Sequence, residues 1–178
     1  MKKDSRCWKI VFLHKKYGEN GGNGRIAANS TEMADESIIE YLQRKPYWIV
    51  DVLPKQVPVG TGGQYFQLEK FFLSHPQIDV ICGKFVGMLT RVNCYMDLQV
   101  SRNGEGWATN PLPELLSGWF MESVAAHQPL FFLLDACKSL LEFSGDDHYL
   151  TLYSPSEELL GLVGQLAAAE GLFVWKPK

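Results

Sequence analysis

The stretch HYLTLYSPSEELLGLVGQLAAAEGLFVW, residues 148–175, decides the fold. It opens with strict alternation, which predicts a strand that carries Tyr149 and Tyr153 on one face and leucines on the other. Apolar residues then recur at helical spacing until Gly171, a residue typical of helix ends. Leu172–Trp175 is again a short apolar run that favours a strand. This order of strand, helix and strand predicts a mixed fold.

The start of this helix carries its own signals. Ser154 precedes Pro155, and proline is favoured in the first helical turn. With Glu157 three residues after Ser154, the spacing predicts a capping box in which Ser154 is the N-cap.

The same patterns extend outward along the chain. Helical spacing predicts further helices over residues 30–44, 64–74 (mostly buried), 78–92 and 113–126. Alternation and short apolar runs predict further strands over residues 8–13, 47–53, 94–100, 130–134 and 140–143. Asn103-Gly104 is a hairpin turn signal that brings residues 106–109 back beside the preceding strand. We therefore expect an α+β fold, a mostly antiparallel sheet with about four helices packed mainly on one face.

Size and composition indicate one folded unit. The chain has 178 residues, of which 46% are hydrophobic and 12% aromatic, too much apolar surface for a disordered chain. We expect residues 1–178 to form a single α+β domain, with a disordered segment at 1–6 and long loops at 17–29 and 54–63.

Neither export nor a membrane is indicated. The apolar run at Ile10–Leu13 is too short for a signal peptide, and the run at Pro129–Leu134 ends at Asp135, too short to span a bilayer. The four cysteines form no CxxC pair, so we expect buried, reduced thiols and a cytoplasmic protein.

Charge is distributed unevenly along the chain. The net charge is −3, which disfavours a nucleic-acid partner. Residues 1–16 nevertheless hold six basic residues and one acid, while residues 103–175 hold ten acids and one base. This asymmetry favours an acidic surface that attracts a basic partner. The alternative is that the acids are scattered over turns and helix starts and only keep the protein soluble.

Asp146-Asp147-His148 is the place where two carboxylates and an imidazole are adjacent in the chain. Such groups bind a divalent cation or divide acid and base roles if their side chains converge. Neighbours on a strand point to opposite faces, however, and aspartate is common in turns for local hydrogen bonding. The pattern therefore predicts neither a metal nor a cofactor, and Asp146, Asp147 and His148 are the candidate catalytic residues.

These observations lead to two functional hypotheses. The first is a non-catalytic cytoplasmic protein-binding module, of an immunity or regulatory type, that engages a basic protein through its acidic C-terminal half. Its candidate binding residues are Glu142, Asp146, Asp147, Tyr149 and Tyr153. The alternative is a small metal-dependent hydrolase or transferase that uses the Asp146-Asp147-His148 turn. The many aromatic residues also leave a homodimer open.

Overall fold

A seven-stranded antiparallel sheet is the centre of the part of the chain that the computed structural model describes, residues 38–43, 46–58, 63–104, 106–136 and 138–178. The strands are β1 (Tyr47–Asp51), β2 (Gln99–Arg102), β3 (Ala108–Thr109), β4 (Leu130–Leu134), β5 (Ser139–Phe143), β6 (Leu150–Tyr153) and β7 (Phe173–Trp175). Their order across the sheet is β3-β2-β4-β5-β6-β1-β7. The predicted strand at 8–13, the segment 1–6 and the loop 17–29 lie outside the described residues.

Five helices accompany the sheet in the described ranges. They are α1 (38–43), α2 (Tyr65–Phe72), α3 (Gln77–Val92), α4 (Pro113–Ala126) and α5 (Glu157–Ala169). The α+β prediction, with an antiparallel sheet and helices mainly on one face, is confirmed. None of the helices in these ranges has the length and hydropathy to cross a lipid bilayer.

One face of the sheet, here called the closed face, packs against α3, α4 and α5. The alternation of β4, β5 and β6 sends every second side chain into this layer, and all of them are apolar except Ser139 at the start of β5. At its centre Phe85, Phe120, Phe132 and Phe143 are fully buried, and the ring centroids of Phe120 and Phe143 lie 4.9 Å apart. Offset aromatic contacts of this kind add to the hydrophobic stabilisation of the core.

The opposite face, here called the open face, is covered only in part by described residues. Ile39 and Leu42 of α1 pack on Phe131, Leu133 and Leu140 of β4 and β5. Farther along the sheet, β6, β1 and β7 instead present aromatic and polar side chains to a cavity. This cavity makes the open face a candidate side for a functional site.

Three sequence predictions need local correction. The strand predicted over 94–100 begins only at Gln99, because residues 93–95 form a turn that continues from α3. The helix predicted to be mostly buried over 64–74 is α2, which has no buried residue, and Phe66 is 79% exposed. Of the thiols expected to be buried, Cys82 is buried but Cys94 is exposed; Cys7 and Cys137 lie outside the described ranges.

The N-cap of α5 is Ser156 rather than Ser154. Ser156 Oγ accepts a hydrogen bond from the backbone N–H of Leu159 at 3.2 Å. Ser154 has a positive φ of 52°, so it belongs to the turn that leaves β6. The helix consequently starts two residues later than the capping-box pattern indicates.

Candidate functional site

The Asp146-Asp147-His148 segment forms the connection from β5 to β6, as the turn prediction expects. Its geometry is fixed by Gly145, where a Cβ atom would overlap the carbonyl oxygen of Ser123 at the end of α4. The backbone N–H of Asp147 donates to the carbonyl oxygen of Ser144 at 3.0 Å, which closes the turn. Only glycine allows this close approach.

The three side chains of the segment do not converge. Asp146 is exposed, and its Oδ1 lies 2.5 Å from Nδ1 of the exposed His127. The half-buried Asp147 accepts a hydrogen bond from the phenol of Tyr149. His148 is 1% exposed and faces the carboxylate of Asp51. In the described part of the chain no three His, Cys, Asp or Glu side chains are placed to hold one metal ion.

A cavity of about 660 Å³ lies on the open face, and described residues line it. Its volume is in the range of ligand-binding pockets. The floor is formed by β1, β6 and β7, and the walls by residues 53–58 and the start of α2. The aromatic lining consists of Tyr47, Tyr65, Phe66, Tyr149, Tyr153 and Trp175.

Two tyrosines of the cavity donate hydrogen bonds to carboxylates. Burial, together with the adjacent Asp147 carboxylate, raises the pKa of Tyr149 to about 12. Burial and a hydrogen bond to Glu142 raise the pKa of Tyr153 as well. Glu142 also accepts a hydrogen bond from Nε2 of Gln43 at 2.9 Å. Both phenols are therefore neutral hydrogen-bond donors at physiological pH.

A buried carboxylate, that of Asp51, lies on the cavity floor. Its side chain is only 5% exposed, and this burial raises the pKa of the carboxyl. Hydrogen bonds from the backbone N–H groups of Leu53 and Val52, and the nearby His148, lower the pKa but do not offset the effect of burial. Oδ1 lies 3.8 Å from Nε2 of His148, too far for a hydrogen bond. Among the described residues, this oxygen has no hydrogen-bond partner. Buried polar atoms normally have one, so Asp51 is the most unusual group of the cavity.

The imidazole of His148 sits among aromatic rings rather than in the cavity. Its centroid lies 5.8 Å from that of Tyr149, 6.0 Å from Phe72 and 6.3 Å from Tyr65. The described residues that line the cavity include neither His148 nor any serine or cysteine.

Several acids of residues 103–175 have partners within the chain. Glu122 lies 2.9 Å from Arg102, and Glu170 lies 2.5 Å from Arg91. Such pairs leave less free negative charge on the helical side than the count of acids indicates. Next to the cavity, Glu142 and Asp147 instead accept hydrogen bonds from the phenols of Tyr153 and Tyr149.

Of the candidate binding residues, Tyr149 and Tyr153 line the cavity, and Asp147 and Glu142 interact with them, whereas the sequence analysis did not name Asp51. The sequence does contain a signal for Asp51, which is the only acid in the apolar run Tyr47–Leu53. Charged residues are rarely buried without a partner, so an acid in such a run marks a position of interest. Comparison of the chain with protein-family models, with curated proteins and with solved structures finds no match.

Proposed function

We propose that this protein is a non-catalytic binding protein that engages a basic protein partner at the cavity of its open face. The observation that carries the proposal is the composition of the cavity, in which tyrosines and a tryptophan surround a buried carboxylate. Aromatic faces attract cations, and a carboxylate in a site of low dielectric strengthens that attraction. A cationic side chain of a partner is the ligand that this combination fits best.

The candidate binding residues divide into two groups. Tyr149 and Tyr153 line the cavity, while Asp147 and Glu142 accept hydrogen bonds from their phenols. Tyrosines held in this way lose little side-chain entropy when a partner binds. Asp146, in contrast, contacts His127 and is not part of the lining. We therefore place the first four at the interface and leave Asp146 out.

The rim of the cavity has the character of a protein interface. Tyr47 is 42% exposed and Phe66 is 79% exposed, and both line the cavity. Aromatic residues are enriched where protein partners meet, and they carry much of the binding energy. A protein that inserted a cationic side chain would cover these two rings at the same time.

Affinity capture from a lysate of the source organism tests the proposal. The bait is the full chain, its rim variant Tyr47→Ser/Phe66→Ser, or a control variant, Leu112→Ser/Leu115→Ser, that removes two exposed apolar residues of the α4 region. We expect a protein of basic isoelectric point to be retained by the parent and the control but not by the rim variant. Retention should weaken when salt is raised from about 0.05 M to about 0.5 M, because screening acts on charge attraction.

Two results would contradict the proposal. One is that the three baits retain the same proteins. The other is that light scattering shows the parent to be a dimer that the rim variant dissociates, since the open face would then bind a second copy of the chain.

A further inference from the structure

We propose that Asp51 is the anchoring group of the cavity and that it receives the guanidinium of an arginine side chain from the partner. This inference rests on the proposed function and names the chemical group that the cavity recognises. Three observations support it, namely the contacts of Asp51, the aromatic side chains beside Asp51 and the volume of the cavity that Asp51 lines.

The carboxylate of Asp51 lacks one of the hydrogen bonds that a buried acid needs. Backbone N–H groups of Val52 and Leu53 donate to it, yet Oδ1 has no hydrogen-bond partner among the described residues. A buried acceptor without a donor costs free energy, and the cost is larger when the acceptor is charged. A ligand that brings a donor to Oδ1 recovers this cost, so the unpartnered oxygen favours binding.

The groups already present do not supply that donor. His148 is at 3.8 Å and is enclosed by the rings of Tyr65 and Phe72. Lys55 also lines the cavity, but it is exposed and forms no ion pair with Asp51. Because Asp51 lines the cavity, the open route to Oδ1 for a new donor leads through it.

The walls next to Asp51 favour a planar cation. Val50 pairs with Leu150 across β1 and β6, so Asp51 and Tyr149 come next along the two strands. Tyr65 is close enough for the charge of Asp51 to contribute to raising its pKa. A guanidinium stacks on such rings, directs forked N–H donors at a carboxylate and gives up water more readily than an ammonium. The surroundings therefore favour arginine over lysine.

The size of the cavity indicates that the arginine arrives as part of a chain. A volume of about 660 Å³ exceeds what one guanidinium fills. The remaining lining includes Ile49 and Trp175, which offer apolar contacts to residues beside the arginine. A loop of a basic protein that presents arginine next to an apolar residue fits these contacts.

Three short capped peptides of the form Ala-Xaa-Ala test the inference on the unmodified full chain. Xaa is arginine, citrulline or lysine, and binding is measured by titration with NMR detection. Citrulline keeps the shape of arginine without its charge. We expect the arginine peptide to bind, and the citrulline and lysine peptides to bind at least about tenfold more weakly, a difference of about 1.4 kcal/mol. Equal affinity of the three peptides, or no binding of any, overturns the inference.

Variants of the chain identify the anchor. Asp51→Asn keeps the shape of the side chain, and Asp79→Asn is the control because it removes an equal charge from an exposed residue of α3 outside the cavity. Circular dichroism first verifies that both are folded. We expect Asp51→Asn to weaken binding of the arginine peptide at least about tenfold and Asp79→Asn to leave it unchanged within about twofold. Equal weakening by both variants contradicts a specific role of Asp51.

The outcome for Asp51 is separable from that of the proposed function. If Asp51→Asn still captures the rim-dependent basic partner as well as the parent does, the anchor is wrong and the proposed function stands. If the arginine peptide binds in an Asp51-dependent way but no basic protein is captured, the anchor stands and the protein partner is wrong.

Discussion

The two faces of the same sheet differ in the polarity of their side chains. On the closed face the alternate residues of β4, β5 and β6 are apolar except Ser139, and they meet a cluster of buried phenylalanines. On the open face the other residues of the central and terminal strands include Asp51, Glu142, Tyr149 and Tyr153. Because strand alternation separates the two sets, one face can be optimised for stability while the other keeps groups that are costly to bury. The difference teaches that stability and recognition are assigned to different faces of one set of strands.

The largest effect is expected from breaking the closed face. Phe120 is fully buried and contacts Phe85, Phe132 and Phe143. Replacing it with alanine should lower the free energy of unfolding by about 3–5 kcal/mol, from lost transfer energy and a new cavity. The rim substitution Phe66→Ala should change it by no more than about 0.5 kcal/mol. Urea unfolding measures both, and equal losses would refute the distinction between the faces.

The next effect concerns the turn that leads from β5 to β6. Gly145→Ala should destabilise the protein by about 1–3 kcal/mol, because the new Cβ atom meets the backbone of Ser123. Gly161 in α5 has open space around its Cα, so Gly161→Ala should stabilise by about 0.5–1 kcal/mol. Thermal unfolding of the two variants should therefore shift in opposite directions. An unchanged or raised melting temperature for Gly145→Ala would mean that the turn does not pack closely on α4.

A smaller effect on the free energy of unfolding is expected from replacing Asp51, the buried carboxylate of the open face. Burial raises the pKa of Asp51 above its ordinary value of 3.8, so the folded state holds this proton more tightly than the unfolded state. The stabilising contribution is full below 3.8 and is lost as the pH rises through the folded pKa. Asp51→Asn lacks this titration. It should match the parent in acid and become more stable than the parent by on the order of 1 kcal/mol near neutral pH.

Denaturant midpoints of the parent and of Asp51→Asn, measured from about pH 3 to pH 7, check this sign. Burial also raises the pKa of Asp147, but this group is present in both proteins and cancels in the comparison. A variant that matches the parent in acid but is less stable near neutral pH would show that the charge of Asp51 stabilises the fold instead of serving the cavity.

The smallest effect is expected at an exposed ion pair on the helical side. Arg102 contacts Glu122 at 2.9 Å, and both side chains are more than half exposed. Glu122→Gln should change the free energy of unfolding by less than about 1 kcal/mol, because exposed pairs are screened by water and salt. The effect should shrink further in high salt, and a larger loss would indicate that charge contributes to the stability of the helical side.

Much of the architecture was predictable because local chemistry decides it. Pro113 marked the first residue of α4, and Asn103-Gly104 adopts the positive φ angles of 59° and 77° that its hairpin turn requires. Alternation likewise separated Tyr149 and Tyr153 from the leucines of β6. These features depend on neighbours in the chain, so the sequence contains enough information to place them.

The rest depends on contacts between distant residues. Asp51 and His148 are brought together by the pairing of β1 with β6, which no local pattern specifies. Conversely, Asp146 and Asp147 are adjacent in the chain but have different partners, because the turn sends one to His127 and the other to Tyr149. The exposure of α2 was also missed, since an aromatic-rich pattern predicts burial whether the rings face a core or the rim of a cavity.

The most direct test of the division between the faces uses the tryptophan indole signals as reporters. Trp175 lines the cavity and donates its indole N–H to the carbonyl oxygen of Leu53 at 3.0 Å, whereas Trp119 lies on the α4 side beside Arg102. When the arginine peptide is added to the labelled full chain, the signal of Trp175 should shift and that of Trp119 should stay in place. A shift of Trp119 without a shift of Trp175 would contradict recognition at the open face.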